Sequence, residues 1–163
     1  MRLEDEQHYL GAALMQIAEN DRFSSINPLV MNGQKLKNAF LINETAFLFL
    51  KYRHKGEAKS YRFHFSADHL TSIEMIGGKD TSRVFVGLVC LEDRQVCCLD
   101  LEQLTAMMHT RNGPGINQDA DYTVSVMAED NRMFRVFGRE TGGNYQHDEV
   151  KIARNRFPEC ILT

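Results

Sequence analysis

The sequence predicts an α+β fold: a mixed, largely antiparallel sheet with flanking helices, and an added β-hairpin near the C-terminus. Strand-like segments lie next to one another instead of alternating one for one with helical segments, which favours α+β over a βαβ series. Two of them, 46–54 and 83–91, are apolar on both parities, as a strand covered on two faces must be. Turn chemistry, from Asn32-Gly33 to Gly77-Gly78, falls between the segments.

Leu10, Ala13, Leu14 and Ile17 recur at helical spacing, so residues 4–19 form an amphipathic helix that Asn20-Asp21 ends. Pro28 and Asn32-Gly33 mark turns around a short strand at 28–31. Strands follow at 38–42 and 46–54, joined at Asn43-Glu44. In Ser60–Phe65, Tyr61, Phe63 and Phe65 share one face while Ser60, Arg62 and His64 share the other, so one face is core. Ser66 caps a helix that runs to about Ile76. The strand at 83–91 turns at Glu92-Asp93-Arg94 into a strand at 95–99, and Asp100 caps a third helix with Leu101, Leu104, Met107 and Met108 inward. A hairpin comes last, Tyr122–Met127 and Arg132–Phe137 around Glu129-Asp130-Asn131.

The 163 residues and 18.7 kDa suit a single domain spanning 1–163. Within it, 4–109 reads as the α/β core, 110–120 ("TRNGPGINQDA") as a linker-like loop and 121–163 as the hairpin and its tail. "MRLEDEQHYL" is acidic where a signal peptide needs a basic start, and the longest apolar run, Val84–Leu91, is far too short to span a bilayer. The expectation is a cytoplasmic protein with no membrane partner. Cys90, Cys97, Cys98 and Cys160 lack the paired spacing of zinc ligands and read as buried free thiols. "GRETGGNY" at 138–145 has neither GK[ST] nor GxGxxG and reads as a surface loop, and the basic tail "VKIARNRFPEC" reads as a solvated terminus.

Charge is segregated along the chain. Between Lys51 and His64 there are five cations, Lys51, Arg53, Lys55, Lys59 and Arg62, against Glu57 alone, so this stretch carries +4 in a protein of net charge −3. A basic strand-turn-strand at 51–64 neutralises phosphates, with Tyr52, Tyr61 or His54 placed to stack on a base or sugar. The bland reading is a solvated hairpin end whose charges guard a sheet edge. His64, Asp68 and His69 are the best metal-like cluster, at a strand end and helix start.

The order helix, three strands, helix, strand over residues 4 to about 91 resembles the core of the PD-(D/E)xK nuclease superfamily, the restriction-endonuclease-like fold. That resemblance implies an acid near the second core strand, where Glu44 lies, and an acid-x-Lys pair at the third, where Glu57-Ala58-Lys59 has the spacing. Carboxylates there hold Mg²⁺ or Mn²⁺ and the lysine positions water or stabilises phosphate charge. The alternative alignment puts Phe49-Leu50-Lys51 at the motif, and a phenylalanine binds no metal. Either alignment leaves a degraded site. The favoured expectation is therefore a noncatalytic, cofactor-free DNA- or RNA-associated module or accessory subunit that uses Lys51, Arg53, Lys55, Lys59 and Arg62. Its rivals are a metal-dependent nuclease using Glu44, Glu57 and Lys59, and a protein-interaction or homo-oligomerisation module.

Overall fold

A computed structural model of the chain describes residues 1–78, 81–108, 121–141 and 149–163. Helix α1 (Asp5–Ala18) opens with a capping box between Glu4 and Gln7 and buries Leu10, Ala13 and Ile17 along one stripe. Strands β1 (Ile26–Met31), β2 (Gln34–Ile42) and β3 (Ala46–Arg53) form a meander. Asn43 and Glu44 both take positive φ, +52° and +58°, the conformation a two-residue turn needs to match strand twist. Then come β4 (Ser60–Phe65), α2 (Ala67–Gly77), β5 (Val84–Cys90), β6 (Gln95–Asp100) and α3 (Leu101–Met107). Strands β7 (Tyr122–Met127), β8 (Phe134–Glu140) and β9 (Val150–Ile152) precede a short α4 (Glu159–Leu162). The Ser66 hydroxyl accepts from His69 N–H at 3.1 Å, and Asp100 and Gln103 close a second capping box.

The fold is α+β, with two sheets. The first has the order β1-β2-β3-β5-β6 and is antiparallel except where β3 runs parallel to β5. The second, β4-β7-β8-β9, is antiparallel throughout. A parallel pair needs a crossover, and β4 with α2 supplies it between β3 and β5. Both parallel strands are apolar on two faces because both faces of the first sheet are covered. Leu48, Leu50 and Phe85 pack with Ile17, Phe157 and Ile161 under α1 and α4. Phe49, Val86 and Leu88 pack with Tyr61, Phe63, Phe65, Val124 and Phe134 against the second sheet, and α2 and α3 add Leu70, Ile73 and Leu104.

Three sequence readings change here. The basic stretch is not a hairpin: β3 belongs to the first sheet, and β4 pairs with β7, Tyr61 opposite Val126 and Phe65 opposite Tyr122. Sequence alternation specifies a half-buried strand and not its neighbour. The C-terminal hairpin is accordingly no appendage, since its inner face completes the apolar layer that β4 begins. Nor is the basic tail solvated. Arg154 donates to Gln95 Oε1 at 2.6 Å and Arg132 O at 2.8 Å over the Phe134 ring, Arg156 reaches Asp100 Oδ2 at 3.1 Å, and Phe157, Ile161 and Leu162 are buried. The loop at 110–120 and residues 142–145 of the Gly-rich segment lie outside the described residues, while Gly138–Glu140, read as loop from the sequence, continue β8. Among the described residues no helix is long and apolar enough to cross a membrane.

Two glycines give opposite expectations. A Cβ on Gly138 meets Met107 O at 2.5 Å and Met107 Cβ at 2.7 Å, where β8 touches the end of α3. Gly138→Ala therefore lowers stability by about 1–3 kcal/mol in urea unfolding. A Cβ on Gly11, inside α1, meets nothing within 4 Å, so Gly11→Ala raises stability by about 0.5–1 kcal/mol.

Candidate functional site

A cleft opens where the first sheet loses a pairing. Strands β2 and β3 are paired only from Ile42 opposite Ala46 to Ala39 opposite Phe49. The next residue of that ladder, Asn38, has φ +56°, a left-handed conformation that asparagine tolerates better than most residues. Between the pairs Pro28–Phe40 and Val30–Lys35 the β1 strand advances two residues while β2 advances five, so Lys37 and Asn38 sit in a bulge. On the other side β3 stays paired with β5 through Arg53 opposite Cys90. Residues 50–53 therefore line a cleft of about 430 Å³ with Lys37, Asn38, His64 and His69.

Helix α1 fixes the bulge: Asn38 Nδ2 donates to Glu6 Oε1 at 2.6 Å, and Lys37 Nζ lies 3.4 Å from Glu6 Oε2. Glu6 is the one carboxylate among the described lining residues, and these two contacts engage both of its oxygens. Lys51 shares the face of Phe49, two residues before it, so its side chain enters the rim of the aromatic layer. Its Nζ lies 4.8 Å from the centroid of Phe65, a cation–π distance. The His69 ring stacks on the same Phe65, with centroids 5.7 Å apart and planes at 13°. Burial pulls the Lys51 ammonium below the ordinary lysine range. Burial, reinforced by the charge of Lys51, brings His69 down to about 4, so the imidazole is neutral near pH 7. Among the described residues neither Lys51 nor Arg53 has a carboxylate partner. This arrangement suits an anion, which restores to Lys51 the stabilisation that burial removes.

The other predicted cations have other surroundings. Lys55 Nζ is 3.1 Å from Asp93 Oδ2, its N–H donates to Glu92 Oε2 at 2.7 Å, and the Tyr61 hydroxyl donates to Asp93. Lys55 thus clasps the β3–β4 connection to the β5–β6 turn. Lys59 is exposed in a 3-10 turn, Glu57–Lys59, at φ +55°, and Arg62 is exposed on the outward face of β4. The three rings expected to stack are engaged: Tyr61 is fully buried, while Tyr52 and His54 lie 5.2 Å and 5.6 Å from the Tyr9 ring.

The proposed metal ligands do not come together. Glu44 precedes β3 and Glu57 follows it, so the eight-residue strand holds them apart by roughly 26 Å at about 3.3 Å per residue. His64 Nε2 faces Asp121 Oδ2 at 3.5 Å, Asp68 is exposed in the first turn of α2, and His69 points inward to Phe65. Among the described residues no group of three or more His, Cys, Asp or Glu side chains forms a metal site. Sequence reading missed Glu6, Lys37 and Asn38, which are brought to β3 only by the bulge. Compared with models of protein families, with curated proteins and with solved structures, the chain has no significant match.

His69 gives a pH expectation with a definite sign. Unfolded histidine titrates near about 6.5, above the folded value of about 4. As pH falls through that window the unfolded chain takes up a proton that the folded chain refuses, so stability drops by an amount on the order of 3 kcal/mol. Urea unfolding of His69→Phe, which keeps the ring and removes the titration, is expected to lose that part of the pH dependence; identical slopes in both proteins contradict it.

Proposed function

We propose that the chain is a noncatalytic nucleic-acid-associated module that holds phosphates in the cleft beside β3. The observation that carries this reading is the pair Lys51 and Arg53, without carboxylate partners among the described residues, on a strand edge left open by the bulge at Asn38. Lys37 at the rim is already paired with Glu6, the one carboxylate among the described lining residues, so Glu6 is not left to neutralise Lys51 or Arg53. Lys51 is partly buried and Arg53 exposed beside it, and a partly desolvated cation such as Lys51 binds a phosphate oxygen more strongly than one in open solvent.

Between α1 and α2 the chain makes four strands, with β4 in the second sheet, so the expected helix, three strands, helix, strand order is not met as such. Only the β1-β2-β3 meander is comparable to the three-strand core of the PD-(D/E)xK nucleases, with β3 as its third strand. There Phe49-Leu50-Lys51 stands in the place of acid-x-Lys, and Phe49 is buried in the core. This supports a module that has the lysine of such a site without the carboxylate that would hold Mg²⁺ or Mn²⁺.

Fluorescence anisotropy with labelled DNA and RNA oligonucleotides over a range of salt tests the assignment. The double variant Lys51→Ala/Arg53→Ala is expected to weaken binding and to flatten the plot of log affinity against log salt by about 1.4 to 1.8, from two phosphate contacts. Lys55→Ala is expected to lower stability and leave that slope unchanged. A slope preserved in the double variant places the phosphates elsewhere and refutes the cleft.

A further inference from the structure

The second sheet carries a face that the apolar core does not use. Burial alternates along β7 and β8, with Tyr122, Val124, Val126, Phe134 and Val136 inward. Thr123, Ser125 and Met127, and Arg135, Phe137 and Arg139, therefore point outward. The register places Arg62 opposite Ser125 and Ser125 opposite Phe137, with His64, Thr123 and Arg139 in the next row. Lys151 lies opposite Arg135 on β9. A half-exposed aromatic ring thus sits within a ring of cations on a four-stranded sheet.

The charges divide into two kinds. Arg135 is anchored, 2.7 Å from Glu149 Oε2 and 3.3 Å from Glu129 Oε1, with its guanidinium 5.7 Å from the Phe137 centroid. Arg62, Arg139 and Lys151 have no ion pair among the described residues. Between Arg62 and Phe137 stands only Ser125, so the surface there is low, and a hollow of about 260 Å³ runs past Arg62, Ser125, Phe137 and Arg139. At strand spacings of about 4.8 Å and rises of about 3.4 Å per residue, Arg62 lies roughly 10 Å from Phe137 across the sheet and Arg139 roughly 7 Å along it. That is room for one planar base over the ring with a charged group on either side.

We propose that this outer face of β4, β7 and β8 is a stacking platform for single-stranded nucleic acid. Phe137 lies under one base, and Arg62 and Arg139 contact the flanking phosphates. The proposal rests on the nucleic-acid reading of the cleft and deepens it by naming the ligand as single-stranded, because the bases of a duplex do not offer a free π-face to a side chain. Strand β4 joins the two surfaces, since His64 lines the cleft and Arg62 the platform.

The chain has no tryptophan, so Phe137→Trp introduces its sole indole at the proposed stacking position. Titration of this variant with oligothymidylate and oligouridylate is expected to quench its emission, reversibly with salt, while a duplex of mixed sequence leaves it unchanged. In parallel, Phe137→Ala and Arg139→Glu are expected to weaken single-strand binding by about fivefold to a hundredfold, with urea midpoints establishing that both remain folded. Single-strand binding that still depends on Lys51 and Arg53, with unchanged emission and unchanged affinity in these variants, overturns the platform and leaves the cleft standing. Equal quenching by duplex overturns the single-strand claim. No binding of any oligonucleotide overturns both.

Discussion

Strand β3 is the constraint on which the rest of the molecule depends. Its even positions, Leu48 and Leu50, are buried against α1 and α4, while Phe49 is buried against the aromatic layer of the second sheet. Full burial on two faces is worth on the order of 1.5–3 kcal/mol for each such side chain, and it requires cover on both sides. The parallel partner β5, the crossover through β4 and α2, and the return of the C-terminal segment as β7 and β8 all supply that cover. On the face toward the second sheet the apolar side chains end at Phe49, but the strand continues. Lys51 consequently occupies a position whose inward direction is already set, and it reaches the Phe65 ring instead of open solvent.

The same strand explains why a cleft exists at all. Its β5 side is satisfied to the last residue, whereas β2 leaves it at Asn38. An open edge invites pairing with another chain, and native proteins guard such edges with charge, bulges or cover. Here the guard consists of a bulge tied to Glu6 together with Lys37, Lys51 and Arg53. A guarding role alone needs charge in solvent. Lys51 is instead drawn into the aromatic rim and held beside a neutral imidazole, at a cost that solvent-facing lysines do not incur. The Phe65 contact offsets part of that cost, and on the proposed reading an anion in the cleft offsets more of it.

Much of the fold is legible along the chain because local chemistry dictates it. Ser66 and Asp100 cap α2 and α3, Asn43-Glu44 makes the β2–β3 turn, and the doubly apolar runs become β3 and β5. Pairing partners are less legible, since alternation in β4 reads the same whether its neighbour is β3 or β7. Charge counting likewise cannot distinguish Lys51 from Lys55. One enters an unpaired cleft and the other meets Asp93, thirty-eight residues away in sequence, a difference set wholly by tertiary structure. Short elements such as β9 and α4 carry too few residues for a periodic signal and are held by Arg154 and Arg156. The outward row Arg135, Phe137, Arg139 is not legible in the sequence, which ends the strand at Phe137 and puts Arg139 in the Gly-rich loop; β8 in fact runs on to Glu140, and its meeting with Arg62 depends on the register.

The central claim is that Lys51 is kept partly desolvated to receive a phosphate. Its most direct test is a pH titration of ¹³C-dimethylated lysines by NMR, with the Lys51 resonance assigned through Lys51→Arg, in the presence and absence of a single-stranded oligonucleotide. The account predicts a Lys51 pKa below that of the exposed lysines in the free protein, rising toward the ordinary lysine range when the oligonucleotide binds. A Lys51 that titrates with the exposed lysines, or one that stays depressed and unmoved at saturating oligonucleotide, contradicts it.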